Sequence, residues 1–143
     1  MNKPKYEANL IAFNETLDDL YKNHGTESPL NRLFKVIETF ALSILNNEKH
    51  NRLTPSSIDD LISIITNKTL QEPTFTENDR DALPGFSQTF KGWTNMCHKY
   101  RHGKADQQNL NVPVPLFNMI FSQGVSNFRF LLELDNKLKL TPK

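Results

Sequence analysis

The sequence lacks the features that mark disulfide-rich and membrane proteins. Its one cysteine, Cys97, leaves no partner for an internal disulfide. Nowhere do 18 apolar residues occur together, and the first residues, MNKPKYEANLIAFNETL, contain no continuous apolar stretch of the signal-peptide kind. We therefore expect a cytoplasmic protein that does not bind membranes.

An excess of one charge is also missing. The chain has 17 basic and 16 acidic residues, a formal net charge of +1, so any attraction to nucleic acid must be local.

Its 143 residues suffice for one domain and are too few for two well-packed ones. Ten phenylalanines supply large buried area. We predict a single domain over residues 1–143 that needs no metal or disulfide for stability.

Leucine outnumbers isoleucine and valine together and glycine is scarce, which indicates an all-α fold. Eighteen leucines face twelve isoleucines and valines, and only five glycines are present. Apolar residues recur at steps of three or four, the period of a helix. Ser28-Pro29 and Thr54-Pro55 are typical helix starts, because Ser or Thr caps free amides and Pro fits the first turn. The pattern predicts a bundle of about five helices, near residues 4–23, 29–48, 55–70, 86–102 and 114–138, with one short turn after Thr76.

The last predicted helix is apolar over more than one face. Phe117, Ile120, Phe121, Gly124 and Phe128 begin a stripe, and further apolar residues broaden it on both sides: Leu116, Met119, Phe130 and Leu134. Two explanations stay open. This helix is the central helix of the bundle, or part of its surface meets a second copy of the chain.

Residues 91–104 are the one stretch whose composition suggests a functional site, since they hold four basic residues and no acidic one. On a helix, one side is apolar and the other polar. The apolar side carries Phe86, Phe90, Trp93, Cys97 and Tyr100. The polar side carries Lys91, Asn95, His98 and His102. Arg101 lies at the border, where its stem packs while the guanidinium remains available to an anion.

The polar side also has a simpler explanation as a solvated helix surface. His98 and His102 are four residues apart, the spacing at which two imidazoles share a metal, but no third ligand follows on the same helix. We therefore expect neither a metal site nor a cofactor. Cys97 falls on the apolar side, where a buried, inert thiol is expected.

The stretch Asn95-Met-Cys-His98-Lys-Tyr-Arg101-His102-Gly103 resembles the polar motif of the HEPN superfamily. These small helical-bundle domains are common in prokaryotic toxin–antitoxin and abortive-infection systems. In active members an arginine is followed after four to six residues by a histidine, and the pair cleaves RNA without metal. Here Arg101 is followed directly by His102. The resemblance implies RNA as the partner and a homodimer in which two motifs face one groove.

Metal-free RNA cleavage needs a base, an acid and a cation for the charge that grows on the phosphate. His102 or His98 would act as the base or the acid, because imidazole titrates near neutral pH. Arg101 would grip the phosphate with two hydrogen bonds. The other candidates for contact with RNA are Lys91, Asn95, Lys99, Tyr100 and Lys104.

A second interpretation belongs to a different class. The chain is then a non-catalytic helical module that binds a cognate protein through the same basic surface, or one whose motif is a structural remnant. The two interpretations differ in the surroundings of Arg101 and His102. Exposed side chains that converge with those of a second copy favour an endoribonuclease, whereas an Arg101 paired internally with an acid favours the protein-binding module. The candidate acids are Asp79, Asp81 and Asp135.

Overall fold

The computed structural model describes residues 11, 14–15, 29–46, 49–101 and 114–141, and for residues 29, 100 and 101 the backbone only. Within these ranges the chain forms helices and no strand, so the all-α prediction is confirmed. Most of the predicted first helix, 4–23, lies outside the described residues; Ile11, Asn14 and Glu15 are helical and exposed. The helices are α1 (Pro29–Leu45), α2 (Pro55–Thr69), α3 (Glu77–Asp81), α4 (Leu83–Arg101) and α5 (Val114–Leu138).

Two helix starts are fixed by reciprocal side-chain caps, the first of them at the predicted Thr54. The Thr54 hydroxyl accepts a hydrogen bond from the Ser57 amide at 3.2 Å, and the Ser57 hydroxyl accepts one from the Thr54 amide at 2.7 Å. Thr76 and Asp79 form the same reciprocal box at the start of α3. These pairs satisfy amides that have no partner inside the helix. The starts predicted at Thr54 and after Thr76 are therefore confirmed.

Two other boundaries differ from the prediction. Helix α4 starts at Leu83 rather than near Phe86, because Pro84 fits a first turn where its missing N–H costs nothing. Helix α1 ends at Leu45 rather than near residue 48. Asn46 adopts the left-handed conformation, φ 44°, and its amide donates to the Leu42 carbonyl at 2.9 Å. Asparagine tolerates this conformation, which ends a helix.

The core is organised around Trp93 on α4. Its side chain is fully buried, and its Nε1 donates a hydrogen bond to the Ile120 carbonyl of α5 at 2.8 Å. Its ring stacks against Phe34 of α1 and Phe90, with centroids 5.7 and 6.0 Å apart. Helix α5 approaches closely at Gly124, where an added Cβ would lie 2.6 Å from Trp93 Cζ2. Through these contacts, one side of α4 packs against α1 and α5.

Helix α5 packs against α1, α2 and α4 of the same chain. This packing agrees with the first explanation of its broad apolar surface, a central helix. Within the described part of α5, the large apolar residues Val114 and Met119 stay exposed, at 69% and 39%. None of the helices in the described ranges combines the length and apolar character that crossing a membrane requires.

The segment between α1 and α2 is tied to both helices by charged side chains. The Leu53 amide donates to the Glu38 carboxylate of α1 at 3.0 Å. His50 Nε2 lies 2.6 Å from Asp60 Oδ2 of α2, and Lys49 Nζ lies 3.6 Å from the same oxygen. The hydrogen bond to His50 is the largest effect and holds the pKa of the Asp60 carboxyl below its ordinary value. Burial opposes it, and the nearby Lys49 charge lowers the pKa further.

This carboxylate predicts a specific acid sensitivity. The pKa of Asp60 is lower in the folded than in the unfolded chain, so its contribution to stability is present above about pH 4 and is lost as the pH falls further. Urea unfolding from about pH 5 to about pH 2.5 should therefore show a steeper loss of stability for the natural chain than for Asp60→Asn. Asp81→Asn, which removes an exposed carboxylate on α3, is the control and should keep the natural slope. An unchanged slope in Asp60→Asn would contradict the expectation.

Candidate functional site

A groove of about 360 Å³ lies between the start of α2 and the middle of α4. We call it the α2–α4 groove. Three residues predicted for the site line it from α4. They are Lys91, Asn95 and His98. The complete lining is Pro55, Ile58, Gln88, Lys91, Gly92, Thr94, Asn95 and His98.

The three predicted residues in the groove differ in their surroundings. The Lys91 ammonium pairs with Asp59 of α2 at 2.5 Å and keeps 30% of its side chain exposed. Asn95 is exposed. His98 is half-buried, with its ring 5.4 Å from the Phe34 ring. The polar side of α4 is therefore not wholly solvent-facing, because α1 and α2 cover part of it.

The remaining predicted residues lie toward and beyond the end of α4. Lys99 is exposed on the helix. Arg101 is the last residue of α4, and its side chain and that of Tyr100 lie outside the described atoms. His102 and Lys104 also lie outside the described residues.

Two of the acids considered as partners for Arg101 have local roles of their own. Asp79 accepts a hydrogen bond from the Thr76 amide at 2.8 Å. Asp135, which is buried, accepts one from the Thr141 amide at 2.7 Å and another from its hydroxyl at 2.9 Å. Each carboxylate thus secures an end of a helix: the start of α3 and the end of α5.

The apolar side of α4 agrees with the helical period. Phe90, Trp93 and Cys97 are fully buried, and Phe86 is half-buried with its ring 4.6 Å from that of Phe130. Because these side chains fix the rotation of α4, Lys91, Asn95 and His98 are directed to the groove. The buried position of Cys97 confirms the expectation of a core thiol.

Several residues of the groove were missed by the sequence analysis. Gln88 precedes Lys91 by three residues, and Gly92 follows Gln88 by four, so both lie on the same side of α4 as Lys91. The helical period of the sequence was the signal that would have found them. Pro55 and Ile58 come from α2, and no local pattern relates them to α4. Only the packing of the two helices brings these residues together.

The groove offers hydrogen-bonding groups beside an apolar wall. Gln88 and Asn95 supply amides that both donate and accept, and His98 supplies an imidazole. The Thr94 hydroxyl donates to the Phe90 carbonyl at 2.9 Å. Gly92 leaves space, since an added Cβ there meets no atom within 4 Å. Such a lining can hold a small group that both donates and accepts hydrogen bonds.

The charge along α4 has one sign. The helix contains Lys91, Lys99 and Arg101 and no acidic residue, and Asp59 of α2 compensates Lys91. In the described residues, no three histidine, cysteine or acidic side chains are grouped as ligands of a metal ion.

Comparison of the chain with protein-family models, with curated proteins and with solved structures found no match.

Proposed function

We propose that this chain is a HEPN-like RNA-binding domain of a prokaryotic defence or toxin system. It acts in the cytoplasm as a homodimer and cleaves RNA without metal at Arg101 and His102. The observation that supports the proposal is the α2–α4 groove, where an acid-free helix places Lys91, Asn95 and His98 along one opening.

Single-stranded RNA fits this chemistry better than a duplex. Proteins read RNA sequence mainly on unstacked bases, through hydrogen bonds to the base edges. The amides of Gln88 and Asn95 are groups of the kind that make such bonds. The exposed ammonium of Lys99 attracts the phosphate chain.

The groove and the motif are close along the helix. Arg101 follows His98 by three residues, a rise of about 4.5 Å along the axis. A nucleotide held beside His98, with its phosphate directed to the end of α4, would therefore lie next to Arg101. Arg101 would bind that phosphate. One of His98 and His102 would take the proton of the 2′-hydroxyl as its oxygen attacks the phosphorus, and the other would give a proton to the 5′-oxygen as its bond to phosphorus breaks.

One observation favours the alternative, a non-catalytic module that binds a protein partner. Lys91 is paired with Asp59, and His98 packs against Phe34, so both side chains have roles within the fold. On that hypothesis the basic surface at Lys99 contacts an acidic partner and the groove binds no nucleotide.

Filling the groove separates the two hypotheses. Gly92→Leu places a branched side chain in the groove, and the absence of atoms within 4 Å of the new Cβ leaves the helix undisturbed. We expect its affinity for a short, single-stranded RNA of mixed sequence to fall about tenfold, the loss of one base contact. Fluorescence anisotropy at one fixed salt concentration measures this affinity.

Gly85→Leu is the matched control. Gly85 is also on α4, has the same free space around its Cβ position and does not line the groove. Its affinity for RNA should equal that of the natural chain. Equal affinities of the two variants would contradict binding in the groove.

A further inference from the structure

The Lys91 ammonium at the α2–α4 groove is paired with a carboxylate from the opposite helix. Its Nζ lies 2.5 Å from Asp59 Oδ1. Asp59 directly follows the lining residue Ile58 on α2, so the ion pair joins the two helices that form the groove. Among the described residues that line the groove, Lys91 is the one lysine or arginine. The groove therefore contains a paired charge where the sequence predicts a cation for RNA.

Neighbouring charges on the two helices do not change this balance. The residues three and four positions from Asp59 and Lys91, which are their neighbours on the helix surfaces, are all uncharged. They are Pro55, Ser56, Ile62, Ser63, Ser87, Gln88, Thr94 and Asn95. Asp60, the adjacent acid, has its own partners in His50 and Lys49, at 2.6 and 3.6 Å. The pair of Asp59 and Lys91 therefore presents no net charge.

The other end of the same stripe of α4 is positive. Lys99 lies eight residues after Lys91, about 12 Å further along the helix axis. It is exposed, and no carboxylate of the described ranges forms an ion pair with it. Asn95 lies four residues from each lysine, so the three side chains follow one stripe of the helix. This stripe is neutral at its start and basic at its end.

This division of charge separates the two parts of a nucleotide. A phosphate that approaches Lys91 meets the repulsion of Asp59 together with the attraction of the ammonium. The charge of Lys99 is screened over about 8 Å at physiological salt, so it acts mainly at its own end of the stripe. The start of the groove offers the amides of Gln88 and Asn95, which both donate and accept hydrogen bonds. An uncharged group with donors and acceptors fits there better than a phosphate.

We propose that Asp59 determines how RNA lies along α4. By neutralising Lys91, it makes the start of the α2–α4 groove a site for the base and ribose of one nucleotide and leaves the phosphate chain to Lys99. Asp59 acts through Lys91 and is a positioning residue. This inference rests on the proposed function, since it assigns an orientation to the RNA bound at the groove.

Two matched lysine variants test the orientation. Lys91→Gln and Lys99→Gln each remove one positive charge from the same stripe. The affinity of the full chain for a short, single-stranded RNA of mixed sequence is measured by fluorescence anisotropy at several salt concentrations. Lys99→Gln should lower the slope of log affinity against log salt by about 0.7, the value of one phosphate contact. Lys91→Gln should weaken binding, because Asp59 loses its partner, without that fall in slope. Equal falls in slope would show that Lys91 binds a phosphate and would overturn the inference.

Removal of the carboxylate tests the same pair from the other side. Asp59→Asn frees the Lys91 ammonium, so the affinity for the RNA should rise about fivefold and the slope should steepen by about 0.7. The Asp59 side chain is 62% exposed, so the fold should tolerate the change. Asp81→Asn removes an exposed carboxylate of α3 and is the control for net charge; it should keep the natural slope. A natural slope in Asp59→Asn, or an equally steep slope in Asp81→Asn, would overturn the inference.

The double variant Asp59→Asn with Lys91→Gln assigns the gain to the ammonium. It lacks the cation that Asp59→Asn frees, so it should not show the steeper slope. A steeper slope there would show a general loss of repulsion and would refute the role of the pair. Failure of the proposed function looks different. If neither Lys99→Gln nor Gly92→Leu weakens binding, the RNA does not lie along α4 and both proposals are wrong.

Discussion

Gly124→Ala is expected to lower the free energy of unfolding by about 2 kcal/mol, or the melting temperature by roughly 6 °C. The new Cβ would lie 2.6 Å from Trp93 Cζ2 and 2.9 Å from Leu33 Cδ2, closer than such atoms approach. Trp93 has little freedom to move, because its Nε1 is bound to the Ile120 carbonyl and its ring is fully buried. The strain therefore outweighs the gain in helix propensity that alanine brings.

Gly92→Ala is the control for this experiment. It makes the same substitution within α4, where the new Cβ meets no atom within 4 Å. We expect it to raise the free energy of unfolding by about 0.5–1 kcal/mol, the intrinsic advantage of alanine over glycine inside a helix. Urea unfolding of the natural chain and of the two variants measures both changes in the free energy of unfolding, which should have opposite signs. A stabilising Gly124→Ala would show that α4 and α5 do not meet closely at Trp93.

Arg101→Ala and His102→Ala are each expected to lower RNA cleavage by at least about 100-fold. The prediction rests on the proposed function. Loss of the guanidinium removes the cation for the phosphate, and loss of the imidazole removes a proton carrier. Cleavage of a labelled single-stranded RNA, followed by gel electrophoresis in the presence of a chelator, measures both rates.

Arg101→Lys and a folding measurement make this result specific. Lysine keeps the charge but not the two-pronged hydrogen bonding of arginine, so cleavage should remain well below that of the natural chain. The helical circular dichroism and the melting temperature should stay close to the natural values in all three variants. Unfolding of both alanine variants would instead assign the motif a structural role.

Local sequence patterns predicted the helices well where the signal was complete within one segment. Val114–Leu138 matches its predicted range, and the start of α2 lies at the predicted Thr54-Pro55. The prediction failed at the start of α4, where Leu-Pro-Gly suggests a loop. Proline and glycine there fit a first helical turn, because the amides of that turn need no partner inside the helix.

The candidate site could be predicted only in part. The period of α4 placed Lys91, Asn95 and His98 on one side, opposite the buried Phe90 and Trp93. It could not show that Asp59 pairs with Lys91, since the two residues are 32 positions apart. Nor could it show that Phe34 of α1 lies beside His98.

The sequence by itself determined the helical class, most helix boundaries and the division of α4 into a buried and a polar side. These properties depend on neighbours within about four positions, and helix geometry relates such neighbours directly. The tertiary structure alone decided where grooves lie and which charges are paired. The α2–α4 groove combines residues from separate helices, such as Ile58 with Asn95. The close packing of side chains around Trp93 and Gly124 sets those helix positions, so the sites depend on contacts between distant parts of the chain.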